Sequence, residues 1–264
     1  MDNNVSIKLM GGLGNYLFQI AVAYTYGLDF KKTLVLTTDD SISVHNHLIT
    51  YKSNILSNID MVNNMFGINY KMYNESEFNY NELPEISGNV FLNGYFQSEK
   101  YFSKYEKEIR DLFKYPEEYI ESIKNKYIDL FDKKTCSLHV RRGDYLSKPE
   151  YHPTQSISYY EKAIKHIQGE FRLIIFSDDI EWCKQNLNHL NNDVVFMTGN
   201  SDYEDLMLMT LCDDNIICNS TFSWWGAWLN NNKNKVVVIP ENWFGPAYSN
   251  YNTNDLYCEN WIKL

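Results

Sequence analysis

Cysteine chemistry is sparse and unpaired. The five cysteines, Cys136, Cys183, Cys212, Cys218 and Cys258, are odd in number, scattered, and form no C-x-x-C pair. That argues against a disulfide framework and predicts reduced, mostly buried thiols in a cytosolic protein. An extended basic run is missing too, and the net charge is -10. A general nucleic-acid or anionic-membrane binder is therefore not expected. No stretch approaches the ~18 apolar residues that a membrane span needs. The opening MDNNVSIKLM lacks the basic and apolar regions of a signal peptide. His45 and His47 form H-x-H with no third ligand nearby, so no metal site is expected there. Asp39–Asp40 and Asp213–Asp214 read as solvated or capping carboxylates.

What is present suffices for a large core. Of 264 residues, 44% are hydrophobic and 16% aromatic, including 21 Tyr and 6 Trp, enough for one large domain or two of ordinary size. Val5–Met10 alternates like a first strand; Gly11, Gly12 and Gly14 break it, and helical spacing resumes at Leu17–Gly27. Strand, glycine turn and helix form the opening of a nucleotide-binding α/β domain. Thr33–Thr37 and Asn89–Asn93 read as further strands, whereas residues 39–85 are polar and weakly patterned. Ser98–Phe113 and Glu117–Phe131 have helical periodicity, and the latter is the expected connection between two halves, 1–131 and 132–264.

Alternation is cleaner in the second half. Strand-like runs at Cys136–Val140, Phe171–Phe176, Val194–Phe196, Asn215–Cys218 and Val236–Ile239 are separated by helical patterns at Ser156–Ile167, Ile180–Asn188, Asp202–Leu211 and Ser223–Asn230. This predicts an α/β architecture with a parallel sheet covered on both faces. Ligands sit beyond the carboxyl ends of such strands. His139 to Asp144, Ser177 to Asp179 and Asn219 to Ser223 all fall there.

The stretch Ser137–Tyr145, SLHVRRGDY, carries the most specific chemistry. Successive side chains of an extended segment point to opposite faces, so Arg141 and Arg142 do not reach one ligand together. One faces an anion, best a phosphate, which guanidinium grips bidentately; the other pairs with a carboxylate such as Asp144. Asp179 is placed to cap the following helix, leaving Asp178 to accept hydrogen bonds from a base or ribose beside Ser177. In Asn219–Leu229, NSTFSWWGAWL, the hydroxyls of Ser220, Thr221 and Ser223, on either side of Phe222, stand at a helix start. A helix N-terminus carries about half a positive charge and binds phosphate, while the tryptophans pack. Gly12 and Gly14, in GLGNYL, give half of a dinucleotide fingerprint whose third glycine is replaced by Leu17. A tight turn close to a ligand fits better than an NAD-linked oxidoreductase. Asn15 and Gln19, one helical turn apart, face the same side; for Gln19 a plain hydrogen bond on the helix face is the competing reading.

Taken in order, GGLGNYLFQIA at 11–21, GYFQSEKYF at 94–102, HVRRGDY at 139–145, SISYYEKAI at 156–164, FSDDIEWC at 176–183 and NSTFSWWGAWL at 219–229 resemble glycosyltransferase family 11, which includes the bacterial alpha-1,2-fucosyltransferases. One departure is Tyr16, where relatives usually carry glutamine. The resemblance implies a GT-B-type fold of two Rossmann-like halves facing across a cleft, the first on the acceptor side and the second binding the donor. It implies inverting transfer of fucose from GDP-fucose, as donor substrate, to a galactose-containing glycan acceptor, with no metal and no other cofactor; D-x-D occurs nowhere in the chain. Arg141 would contact the diphosphate, Asp178 would lie near the guanosine, Thr221 to Ser223 near the phosphates, and Asn15 near the transferred sugar or the arginine. His139 and Asp144 belong to the same donor-binding motif. Glu150 and His152, on the loop after it, are the candidate bases. Alternatives are a GT-B transferase using another nucleotide sugar and a non-catalytic glycan-binding protein of this fold. The expected partners are a nucleotide sugar and a glycan, in the cytoplasm or peripherally at the membrane.

Overall fold

The computed structural model describes residues 3–37, 48–62 and 68–264. Asp39–Asp40, His45 and His47 lie outside the described residues. The chain divides into two compact units, 1–120 with 251–256 and 121–250 with 257–264.

In the first unit, β1 (Asn4–Ile7) leads into α1 (Leu13–Phe30), followed by β2 (Thr33–Leu34), β3 (Leu36–Thr37), α2 (Leu48–Tyr51), β4 (Met61–Val62), β5 (Lys71–Asn74), β6 (Val90–Asn93) and α3 (Glu106–Leu112). A parallel sheet has the order β2-β1-β6-β5, and β3 pairs with β4. Helix α1 is longer than the sequence pattern predicts at both ends. It starts four residues early because the Gly12 carbonyl accepts from the Asn15 and Tyr16 N–H groups. At the other end it runs through Gly27, which is not a stop. A Cβ there would come within 2.7 Å of the Lys32 carbonyl, so glycine lets the returning chain touch the helix. Left-handed Lys31 (φ 52°) ends it instead. The helical pattern of Ser98–Phe113 resolves into two 3-10 turns, Glu99–Tyr101 and Ser103–Tyr105, before α3.

Helix α4 (Glu117–Lys126) carries the chain into the second unit, where strands and helices alternate: β7 (Thr135–Val140), α5 (Ile157–Ala163), β8 (Arg172–Ser177), α6 (Ile180–Leu187), β9 (Val194–Phe196), α7 (Asp202–Leu211), β10 (Asp214–Ile216), α8 (Thr221–Leu229), β11 (Val237–Ile239) and β12 (Ile262–Lys263). All pairings are parallel, in the order β12-β11-β10-β7-β8-β9. Counted from β7, this is the doubly wound nucleotide-binding order, which reverses direction between its first and fourth strands. The reversal falls between β7 and β10. Strand β7 is buried along its whole length, as expected of a sheet covered on both faces. Cys136, Leu138 and Val140 pack with Tyr159, Tyr160, Leu173, Ile175, Cys183 and Leu187 in its core. All five cysteines are buried and free.

One loop of the first unit is held in an uncommon conformation. Phe96 has φ 51°, a region that L side chains rarely occupy. The Glu75 carboxylate accepts from the Tyr95 N–H at 2.7 Å and the Phe96 N–H at 2.9 Å, fixing the turn. Gly94 makes this possible, since a Cβ there would lie 2.4 Å from Glu75 Cβ. Burial raises the Glu75 pKa from 4.5 to about 7 despite these two donors. The folded chain then holds a proton that the unfolded chain has released, so stability falls as pH rises from about 4.5 to about 7 and is flat above. In Glu75→Gln the melting temperature, followed by circular dichroism across this window, should lose that downward slope; a slope equal to the wild type's would contradict the assignment.

Candidate functional site

The predicted donor residues converge where the second sheet reverses. His139, near the carboxyl end of β7, has its Nδ1 3.2 Å from Cys218 Sγ, just beyond β10, and its ring centroid is 5.4 Å from that of Phe222 at the start of α8. Burial, and then the charge of Arg141, push the His139 pKa down to about 3, so the imidazole is neutral and adds no repulsion beside the arginine. The Tyr145 hydroxyl donates to the Asn219 carbonyl at 2.9 Å, tying the loop after β7 to the loop after β10. Asn219 itself donates to the Pro153 and Trp243 carbonyls.

The two arginines part company as the opposite-face argument requires, though with different partners. Arg141 donates from Nε and Nη2 to Asp144 Oδ1, at 3.1 and 2.7 Å, and its Nε lies 3.1 Å from Asp178 Oδ2. Arg142 pairs with Asp179 at 2.9 Å, and its guanidinium lies 4.0 Å from the Trp182 ring centroid. The expected pairing of the second arginine with Asp144 is therefore corrected. Residues 144–147 turn back as a 3-10 helix, which presents Asp144 to Arg141, while Arg142 points across to the start of α6. The Arg142 side chain is 16% exposed and spent on packing; that of Arg141 is 38% exposed. Guanidinium has five N–H donors, and Arg141 Nη1 has no partner among the described residues. Burial alone would lower the Arg141 pKa, but Asp178 and Asp144 outweigh it and hold the group charged.

Asp179 caps α6, accepting from the Trp182 N–H, as the sequence predicts. Ser177 Oγ accepts from the Asp179 N–H. Asp178 has a task that the sequence did not reveal: besides Arg141, its Oδ1 accepts from the Arg142 N–H at 2.9 Å. Gly143 admits it, because a Cβ at that position would meet Asp178 Oδ2 at 2.5 Å. At the other lip, Ser220 occupies the N-cap of α8 yet makes no side-chain capping bond. The first turn of α8 thus keeps the N–H groups that a cap would have satisfied. Below it, Ser223 is buried and donates to the Ser220 carbonyl, and Trp224, Trp225 and Trp228 pack edge-on or stacked.

The two candidate bases differ in setting. His152 stacks on Tyr145 at 5.0 Å between ring centroids and leans on Phe244 and Tyr248, and burial lowers its pKa. Glu150 is exposed; its carbonyl accepts from the Ala247 N–H. Gly12, Gly14 and Asn15 belong to the other unit. Gly12 is the N-cap of α1, Gly14 is buried in its first turn, and Asn15 accepts from Gln97 Nε2 at 3.0 Å. Gln19 is fully buried and spent on backbone bonds, the plainer of its two readings. Tyr16 is buried as well. Asp179, Trp182 and Gln97 stand inside motifs already legible in the chain, but nothing local marked their partners.

No described helix is long and apolar enough to cross a membrane. The profile of Glycosyl transferase family 11 matches residues 3–264. The chain is 32% identical to the O-antigen biosynthesis glycosyltransferase WbnK of Escherichia coli, over 97% of this chain and 99% of that protein. It is 29% identical to an Escherichia coli alpha-1,2-colitosyltransferase, over 98% of each. Among solved structures, the NodZ alpha-1,6-fucosyltransferase soaked with GDP-fucose aligns over 87% of this chain and 93% of its own with a TM-score of 0.57, at 15% identity, a likeness of fold. The fold is α/β of the GT-B type, and the chain is a glycosyltransferase belonging to glycosyl transferase family 11.

Proposed function

We propose that the protein transfers fucose from GDP-fucose to a galactose-containing glycan, forming an alpha-1,2 linkage with inversion and without a metal ion. One observation carries this reading: a charged arginine with an open Nη1 and an uncapped helix N-terminus flank the reversal point of a doubly wound sheet. Cleavage of the sugar C1–O bond leaves the bonding electrons on the diphosphate. Fixed positive groups that need no reorganisation stabilise that charge best. Arg141 and the first turn of α8 are such groups, with the Ser220, Thr221 and Ser223 hydroxyls beside them and Phe222 against His139. Asp178 lies on the guanosine side; both its oxygens are engaged, and the remaining lone pairs serve the nucleotide. Asn15 is the catalytic residue of the first unit, with Gly12 and Gly14 giving the ligand close access to the backbone.

The acceptor hydroxyl attacks C1 from the face opposite the leaving diphosphate and gives up its proton. Of the candidate bases, burial favours the uncharged imidazole of His152, the form that can accept a proton, and Glu150 is exposed. An oxocarbenium-like transition state makes little demand on either. The second reading, transfer of a different sugar from its nucleotide, is favoured by the likeness to the alpha-1,2-colitosyltransferase. The same reading puts the enzyme in the cytoplasm, peripherally at the membrane where the glycan acceptor is carried there.

A panel of nucleotide sugars, incubated with a galactose-ended acceptor in EDTA, should give nucleotide release from GDP-fucose above all others. Release from a different donor would support the second reading, and glycan binding without release would identify a non-catalytic protein. The two arginines should separate in function. Removing a guanidinium that becomes buried against the diphosphate once the donor binds costs on the order of 2–5 kcal/mol, which is about 30- to several-thousand-fold in rate. Arg141→Ala should therefore lose most turnover while melting near the wild-type temperature. Arg142→Ala should instead lower the urea midpoint, because it strips Asp179 and Trp182 of their partner. Near-normal turnover in the first variant, or unchanged stability in the second, would contradict the assignment.

A further inference from the structure

At the carboxyl edge of the first sheet, three polar side chains are committed to holding one amide. Gln19, fully buried, accepts from the Met10 N–H at 3.0 Å and donates to the Gly94 carbonyl at 3.1 Å, tying the loop after β1 to the loop after β6. Glu75 fixes the next turn through the Tyr95 and Phe96 N–H groups. Gln97, 7% exposed, is thereby set so that its Nε2 donates to Asn15 Oδ1.

A side-chain amide has two ends of opposite polarity. With Oδ1 taken by a donor, the end that half-exposed Asn15 offers to a ligand is Nδ2. This group lies over Gly11, at φ 82°, where a Cβ would come within 2.2 Å of it. It has no partner among the described residues. Gln97 Oε1, by contrast, is buried, and it too has no partner among the described residues, a state that native structures rarely leave uncompensated. Packing alone needs neither the strained turn nor an acceptor left open behind the amide.

We propose that Gln97 is a positioning residue that locks Asn15 as a hydrogen-bond donor toward an oxygen of a bound sugar. This rests on the assignment of Asn15 above. In Gln97→Glu the neighbour becomes an acceptor, so Asn15 turns Nδ2 inward and presents Oδ1 to the ligand. Asn15→Asp keeps the bond from Gln97 and loses the outward donor. Gln97→Met keeps the volume and removes the lock.

The test uses the whole chain and two readouts. By side-chain amide NMR, the Asn15 Nδ2 protons should exchange readily in the wild type and become protected in Gln97→Glu; unchanged exchange would overturn the proposal. With GDP-fucose and a galactose-ended acceptor, Gln97→Met should lower kcat about ten-fold, yet by less than about two-fold in an Asn15→Ala background, because both act through one group. Losses that simply multiply would equally overturn it. A rise in KM for the donor identifies the donor's sugar as the source of the oxygen, and a rise for the acceptor identifies the glycan. Should Gln97→Glu fail to fold, Asn15→Asp and Gln97→Met decide the matter. If the wild type turns over no nucleotide sugar, the functional reading falls while amide exchange still decides whether the lock exists.

Discussion

Parallel pairing of β7 with β10 is the constraint on which the proposed donor site depends. These strands are distant in sequence, and the intervening chain fills out one side of the sheet before returning to the other. Their carboxyl ends therefore open the crevice that such a reversal point creates. Into it the sequence sends, from one strand, a neutral histidine and an arginine and, from the other, a helix start whose N-cap serine makes no side-chain capping bond. The Tyr145–Asn219 bond and the His139–Cys218 contact tie the two lips together.

The local charge balance explains why geometry matters more than net charge. Two guanidinium groups face three carboxylates, Asp144, Asp178 and Asp179, in a protein whose net charge is -10. An anion finds no general attraction here. What it finds is one cation whose orientation is fixed on two sides and open on a third, beside oriented peptide dipoles. Such an arrangement favours charge that develops at one place over charge anywhere else, which is what leaving-group stabilisation requires. It also assigns the carboxylates a purpose, since a free arginine on a surface loop would spread over many rotamers and lose that direction.

Much of this is legible in the sequence. The bounds of β9 and α7 match the periodicity, because a short β-branched run and a capped amphipathic segment are each locally determined; Ser201 and Glu204 form a full capping box at the start of α7. Strand β5 was not legible: it is an edge strand of KMYN, mostly exposed, and exposure erases the alternation that reveals a strand. The periodicity ends α1 short, at Gly27, because the reason for that glycine lies in a later turn of backbone. In the site, nearness along the chain suggested the wrong partner for Arg142. Asp179 stands at the end of the neighbouring strand, and only the register of β7 against β8 brings the two together. Gln97 was hidden for a similar reason, since its partner Asn15 follows β1, which only the folded sheet brings beside β6.

The central claim is that Arg141 and the first turn of α8 together hold the departing diphosphate. A crystal structure of the protein with GDP, grown in EDTA and again with excess magnesium, tests it most directly. The account predicts the same pose in both: the β-phosphate hydrogen-bonded to the Arg141 guanidinium and to backbone N–H groups of residues 221–223. A pyrophosphate seated away from Arg141, or held through a divalent ion, would contradict it.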